Sequence, residues 1–311
     1  HRVLHGGEKY SDSVLINEEV VQSIRDLTKL GPLHHPGNLA GIEAMQAALP
    51  EVPMVAVYDT AFHQTMPKEN YLFPVPMEWY TEYGVRKYGF HGTSHKYITT
   101  KMKEKLGKED VNLIICHIGS GASISAVKEG KCYDTTMGLT PLDGLMMGTR
   151  SGAIDPSIIE YVCGETGRTV AEVTNDLNKR SGLLGVSGYS DSRDVENAAA
   201  EGNENAALAI TMYNNRIAKY IAEYCIELEG KVDAIVFTAG VGENGREARA
   251  DILGRLLPLG IKVDAEVNDT IASYKDKSEG IISAEDSSVA VWVVPTNEEL
   301  MFIKVTYELV K

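Results

Sequence analysis

Histidines and arginines set between glycines are the chemically pointed features of this 311-residue sequence. All eight histidines (His1, His5, His34, His35, His63, His91, His95, His117) fall in the first 117 residues. Several of them lie in Gly- or Pro-marked turns, where function concentrates. In Tyr88-Gly89-Phe90-His91-Gly92-Thr93-Ser94-His95 the His-x-x-x-His spacing suggests zinc at first sight. Thr93 as a helix cap would leave His91 outside the helix, however, and the acid of an H-E-x-x-H site is missing. A turn histidine beside glycine is better placed to donate a hydrogen bond to a reacting anion. The plain alternative is a surface histidine in a polar turn. Met147-Gly148-Thr149-Arg150-Ser151-Gly152 sets an arginine between glycines, and its planar fork suits phosphate or carboxylate. The plain alternative there is a surface arginine paired with Asp155. Asp59 ends an apolar strand, a usual place for a functional carboxylate in an α/β sheet. Thr296-Asn297-Glu298-Glu299 also follows a strand, and by itself is explained by helix capping.

Two glycine-rich turns follow apolar strands, one around Gly119-Ser120-Gly121 and one over Gly240-Val241-Gly242-Glu243-Asn244. Glycine lets backbone N–H groups approach phosphate oxygens closely. Neither turn matches a P-loop or a dinucleotide fingerprint, and either one alone is a weak signal. Together, a hairpin tip and a strand–helix turn suggest two lips around one nucleotide.

The elements that must position these groups alternate between strand and helix, which argues an α/β fold. Helices are expected over residues 17–30, 93–106, 203–229 and 297–311, and strands over 54–58, 112–117, 122–127, 233–238 and 289–294. The proline-marked stretch 65–77 is the best candidate for a crossing between domains. The length allows two domains, and 43% apolar residues can fill their cores. A net charge of −14 argues against nucleic acid or an anionic membrane as main partner, though a local arginine cluster could still hold a small anion. No apolar run approaches the length of a membrane helix, and no secretory signal is read at the start. The four cysteines are widely spaced and read as reduced residues of a cytoplasmic protein.

Taken in order, the segments 1–8, 32–38, 59–64, 90–95, 117–121, 147–156, 191–194, 240–244 and 296–299 resemble the motifs of acetate kinases. These form the acetokinase branch of the acetate and sugar kinase/Hsp70/actin superfamily. The resemblance runs from the first residue to near the last. It implies a two-domain, actin-like and ribonuclease H-like α/β fold with mixed sheets flanked by helices. The family's opening hairpin, with its Ser-rich phosphate loop, has no counterpart here. The chain is therefore expected to be a fragment or proteolytic product whose first domain is incomplete. Residues 1–64 plus 297–311 would form a partial acceptor-side domain, and 65–296 a nucleotide-binding domain.

By the same resemblance, Arg2 and Arg150 grip the carboxylate and the transferring phosphoryl group, and His91 hydrogen-bonds the phosphoryl oxygens. Asp59 orients the acceptor or metal-bound water, and Glu298 helps to hold Mg²⁺, with Mn²⁺ as a substitute. His117, Ile118, Gly119, Ser120 and Gly121, together with Gly240, Val241, Gly242, Glu243 and Asn244, would line ATP or ADP, with Asp191, Ser192 and Arg193 beside the adenosine. Leu4, Leu33, Phe90 and Pro141 would enclose the acyl group, with His34 in support. Leu4 stands where the family often has a smaller residue, so the pocket is expected to be tight. The implied reaction is reversible in-line transfer from ATP to acetate, giving acetyl phosphate. A homodimer through the C-terminal domain is implied as well. The alternatives are a propionate or butyrate kinase, or a nucleotide-binding remnant without turnover. A sugar kinase would need an Asp base beside polyol-binding residues, and none is evident.

Overall fold

An unbroken apolar run, Val55–Tyr58, becomes the central strand of the first of two units in a computed structural model that describes residues 1–31 and 34–311. It pairs in parallel with Arg2–Val3 and antiparallel with Val14–Leu15, in the registers Arg2↔Val57 and Val14↔Ala56. Val20, Val21 and Ile24 of the helix Glu18–Asp26 and Ile42 of the helix His35–Ala48 pack with Val3, Ala56 and Tyr58. Asn17 caps the first of these helices by accepting the Val20 amide at 2.9 Å. The helix expected to run to Leu30 tightens into a 3₁₀ turn over Leu27–Leu30 before Gly31, which satisfies the last carbonyls with i→i+3 bonds.

The helix Gly92–Leu106 ends at Gly107, as the sequence suggests, but Thr93 does not cap it. The reason is tertiary. The Gly92 amide donates to the Asp59 carbonyl at 2.9 Å, so the strand end supplies the partner that a cap would otherwise provide. The C-terminal helix Glu298–Val310, capped by Asn297 onto the Leu300 amide, packs against this helix and against Val55–Tyr58. A hairpin from Ser125 onward completes the unit. The strand Ala122–Lys128 returns antiparallel as Lys131–Thr135 through Glu129 and Gly130, both at positive φ (51° and 73°), the geometry favoured by strand twist.

The second unit is built on three parallel strands, Leu113–Ile118, Ala234–Thr238 and Ala290–Val293, with the short antiparallel strand Gly280–Ile281 at one edge. Leu113–Ile118 and Ala234–Thr238 are buried throughout, which explains why they read as continuous apolar runs. The helix Glu204–Glu227 lays Ala206, Ala209, Tyr213, Ile217, Ile221 and Tyr224 inward at helical spacing. Residues 240–244, expected as a loop, lie in a short helix, Ala239–Asn244, with the Glu243 carboxylate accepting the Ala239 amide at 2.8 Å.

The division between units is not where the sequence suggested. The first unit comprises His1–Val111, Ser125–Pro141 and Thr296–Lys311, and the second Asn112–Ile124 and Leu142–Pro295. Residues 65–111 thus belong with the first unit, because the helix Gly92–Leu106 docks on its central strand and its C-terminal helix. The stretch 65–77 forms no crossing. It carries the short helix Lys68–Tyr71 and leads into Met77–Tyr83. Among the described residues no helix is long and apolar enough to cross a membrane.

Candidate functional site

In the first unit the groups gather at the carboxyl end of Val55–Tyr58. Asp59, 1% exposed, follows the strand, and its amide donates to the Val3 carbonyl at 3.0 Å. Arg2 grips its carboxylate through Nε at 2.9 Å and Nη2 at 2.7 Å. The arginine expected to hold a substrate carboxylate is thus anchored on a protein one, which keeps its guanidinium firmly charged. Its side chain remains 47% exposed. Glu298 belongs to the same group of charges. Burial raises its pKa, Arg2 next pulls it down, and the nearby Asp59 pushes it up again to a lesser degree. Its Oε1 is buried with no hydrogen-bond partner among the described residues. A buried, unsatisfied carboxylate oxygen is costly unless something positive meets it. Among the described residues no cluster of three or more His, Cys, Asp or Glu could enclose a metal by itself. Glu298 and Asp59 leave two carboxylates in this group of charges.

His91 precedes the helix Gly92–Leu106 with φ 58° and ψ 23°, the left-handed region. Gly92 is required by contact: a Cβ there would lie 2.1 Å from the Asp59 carbonyl oxygen. The Phe90-His91-Gly92 turn is thereby pinned beside the acid. Phe90 and Leu4 are both buried, and the His5 ring connects their surroundings, lying edge-on to Tyr88 at 4.3 Å and to Phe90 at 5.7 Å. Leu4 also touches the backbone near Gly31, where an added Cβ would come within 2.9 Å of its Cδ2. Pro141 is half-buried and His34 exposed. Leu33 lies outside the described residues.

In the second unit, Gly119, Ser120, Asp191, Ser192, Arg193, Gly240, Val241 and Asn244 line one cleft of about 570 Å³. The other five residues assigned to the nucleotide do not line it. His117 and Ile118 are strand residues, Gly121 accepts the Gly119 amide, Gly242 packs near Phe237, and Glu243 is turned back onto the Ala239 amide. Sequence reasoning missed Gly148, Glu196, Tyr213, Arg246 and Tyr274 on the same walls. Only Gly148 carried a sequence signal, as a glycine of the arginine turn, and a Cβ on it would come 2.9 Å from the Ser190 carbonyl. A neighbouring cavity of about 500 Å³ shares Leu183, Ser192, Glu196, Tyr213, Val241 and Glu247 with the cleft. Asp191 caps the helix Ser192–Ala200 and also holds the Arg193 guanidinium at 2.9 and 2.6 Å, which brings its pKa down to about 2.

Arg150 sits in a backbone turn clamped from two sides. At Gly182 (φ 62°) a Cβ would meet the Met147 and Arg150 carbonyls at 2.1 and 2.7 Å. Arg216 of the long helix donates to the carbonyls of Ser151 and Ala153 at 3.2 and 2.9 Å. Asp155 accepts the Ser157 amide at 2.9 Å, so it has a local role apart from Arg150. Burial lowers the Arg150 pKa, a cost that an anion beside it would relieve.

Residues 1–304 match the acetokinase family. The chain is 52% identical to the acetate kinase of Finegoldia magna, covering 100% of this chain and 78% of that protein. It is 55% identical to the acetate kinase of Geobacillus kaustophilus, over 98% and 76%. Among solved structures, a propionate kinase from Francisella tularensis superposes with a TM-score of 0.95 at 46% identity, covering 100% of this chain and 78% of that one. Porphyromonas gingivalis acetate kinase superposes at 0.93 and 44% identity, covering 100% and 77%.

Proposed function

The chain belongs to the acetokinase family and catalyses phosphoryl transfer between ATP and acetate, and we propose that its two units divide the work by charge. On the first unit, Arg2 meets the acceptor carboxylate or the transferring group, held in register by its bidentate grip on Asp59. His91 donates to the phosphoryl oxygens. An acetate oxygen is already nucleophilic, so no strong general base is called for. The residues act by in-line positioning and charge neutralisation. On the second unit, Arg150 neutralises phosphoryl charge, and the cleft between Gly119-Ser120 and Gly240-Val241 takes the phosphates and nucleoside. Leu4 and Phe90 form the apolar end of the acceptor pocket, with Pro141 completing it.

Glu298 and Asp59 would hold Mg²⁺, which supplies charge neutralisation at the phosphate oxygens when bound. The observation that carries this reading is the unpartnered Glu298 Oε1 beside Arg2 and Asp59. The test is an assay of ATP, Mg²⁺ and acetate with hydroxylamine trapping of acetyl phosphate. Glu298→Gln should raise the Mg²⁺ concentration needed for half-maximal rate by about 10-fold or more, the scale of losing a tuned metal partner. An unchanged metal dependence would remove Glu298 from the site.

Two coarser features complete the reading. All four cysteines are free, and Cys116 and Cys132 are buried, which fits a reducing, cytoplasmic setting. The long helix of the second unit exposes Leu208, Met212 and Ile226 on one side, with Lys219 and Glu223 between them, a mixed face on which two copies could pair.

A further inference from the structure

We propose that His63 is a positioning residue for this reaction, its imidazole fixing the peptide unit that joins Phe90 to His91. This rests on the reading that His91 contacts the phosphoryl group. His63 lies in the 3₁₀ turn Ala61–Thr65, directly after Asp59, and its side chain is fully buried. Its Nε2 is 2.9 Å from the Phe90 carbonyl oxygen, and its Nδ1 is 3.1 Å from the Cys132 sulfur. A carbonyl can only accept, so Nε2 carries the proton. Nδ1 is then the acceptor, and the Cys132 thiol, which also lies 3.5 Å from the Asp134 carbonyl oxygen, is assigned as its donor at the closer contact. Burial supports this neutral arrangement. It brings the His63 pKa down to about 4 and holds the thiol well above its ordinary value, so the pair is imidazole and thiol, not an ion pair.

The contact governs the turn from both sides. Gly89 lies against the imidazole at φ 75°, where a Cβ would fall 2.6 Å from His63 Cδ2 and Cγ. The carbonyl bound by Nε2 belongs to the peptide that leads into His91. His91 is itself in the left-handed region, which is strained for an L-residue and persists only where the surroundings impose it. Releasing that carbonyl frees the peptide plane to rotate, and this would move the Phe90 ring and the His91 imidazole together. The sequence reading grouped His63 with the Asp59 motif and assigned it no role. Its partner Cys132 lies 69 residues away and only the fold brings them together.

The experiment compares His63→Gln, His63→Asn and His63→Leu. Gln can place an amide N–H where Nε2 stands. Asn reaches only as far as Nδ1. With acetate and ATP, Gln should stay within about 3-fold of the parent kcat, while Asn and Leu should fall by about 10²-fold, the scale of an ångström-sized misplacement. KM for ATP should stay within about 2-fold in all three, since the binding step is not what is lost. Imidazole ¹⁵N NMR should show His63 as the Nε2–H tautomer. Equal kcat for Gln and Asn, a loss that follows KM for ATP, or an Nδ1–H tautomer would each overturn the role. Should His63→Leu fail to fold, the Gln and Asn pair decides alone. His91→Ala in the same assay separates the two readings. Retained turnover there removes His91 from the chemistry and this role with it. Lost turnover there, with Gln and Asn equal, overturns only the part given to His63.

Discussion

Arg150 and Leu4 are the single side chains on which the proposed control of rate and of selectivity can be tested. Arg150 sits in a turn whose backbone Gly182 and Arg216 clamp, and its Nη1 lies 3.6 Å from the Met147 sulfur. Arg150→Ala should lower kcat by about 10³-fold, within the range for an arginine that neutralises phosphoryl charge. Arg150→Lys should recover little, because an ammonium lacks the planar fork. Near-normal turnover in Arg150→Ala would make it a structural residue of the turn. Leu4 is buried against Gly31 and one residue from His5, whose ring abuts Phe90. Truncating it to alanine should improve propionate relative to acetate by about 10-fold, since a methylene in an apolar pocket counts for about 1–3 kcal/mol. The comparison is the ratio of kcat/KM for the two acids. An unchanged ratio would take Leu4 out of the pocket.

At the scale of elements, the docking of the helix Gly92–Leu106 onto the end of Val55–Tyr58 is what creates the site in the first unit. Its weak point is steric. Gly92→Ala would force a Cβ to 2.1 Å from the Asp59 carbonyl oxygen, and the helix or the strand end must move. Stability should fall by about 3 kcal/mol, at the top of the overpacking range, and activity should fall with it. Gly37, inside the helix His35–Ala48, is the control: among the described residues nothing lies within 4 Å of its would-be Cβ. Gly37→Ala should be neutral or stabilising by up to about 1 kcal/mol. Urea denaturation of the two variants reads both effects, and equal midpoints would refute the docking argument.

At the scale of the molecule, acid should act first on the first unit, because its buried histidines are held neutral. Burial lowers His5 to about 3 and His63 to about 4, and lowers His35 as well. Their unfolded values are near 6.5, so between that pH and the folded values the unfolded chain binds more protons. Stability is therefore full above about pH 6.5 and falls as pH drops toward 4, by up to about 1.4 kcal/mol per pH unit for each group. Trp79 belongs to the first unit and Trp292 to the second, so Trp292→Phe leaves a reporter on the unit in question. Its urea midpoint should drop between pH 6.5 and 4, and the drop should be shallower in His63→Gln. A flat profile would show that these histidines are already satisfied when charged. Light scattering tests the self-association drawn from Leu208, Met212 and Ile226. A dimer that Ile226→Glu converts to monomer supports that face, and a monomer at all concentrations excludes it.

Local chemistry made much of this legible from the sequence alone. Apolar periodicity and Gly stops placed the helices Glu18–Asp26, Gly92–Leu106 and Glu204–Glu227 and the strands Val55–Tyr58, Leu113–Ile118 and Ala234–Thr238 to within a few residues. These signals are short-range and need no partner to be read. The ordered motifs pointed to the family for the same reason. What needed the fold were contacts between distant positions. The Arg2–Asp59 pair spans 57 residues and the His63–Cys132 contact 69, and no local pattern announces either. Thr93 failed as a cap because the strand carbonyl of Asp59 took the helix N-terminus first. The boundary between units failed for a related reason. The chain passes between them at several points, and the proline-rich stretch that looked like a crossing is an ordinary surface connection. Capping, spacing and composition are properties of neighbours in sequence. Which carbonyl a helix meets, and which carboxylate an arginine holds, is decided by packing across the chain.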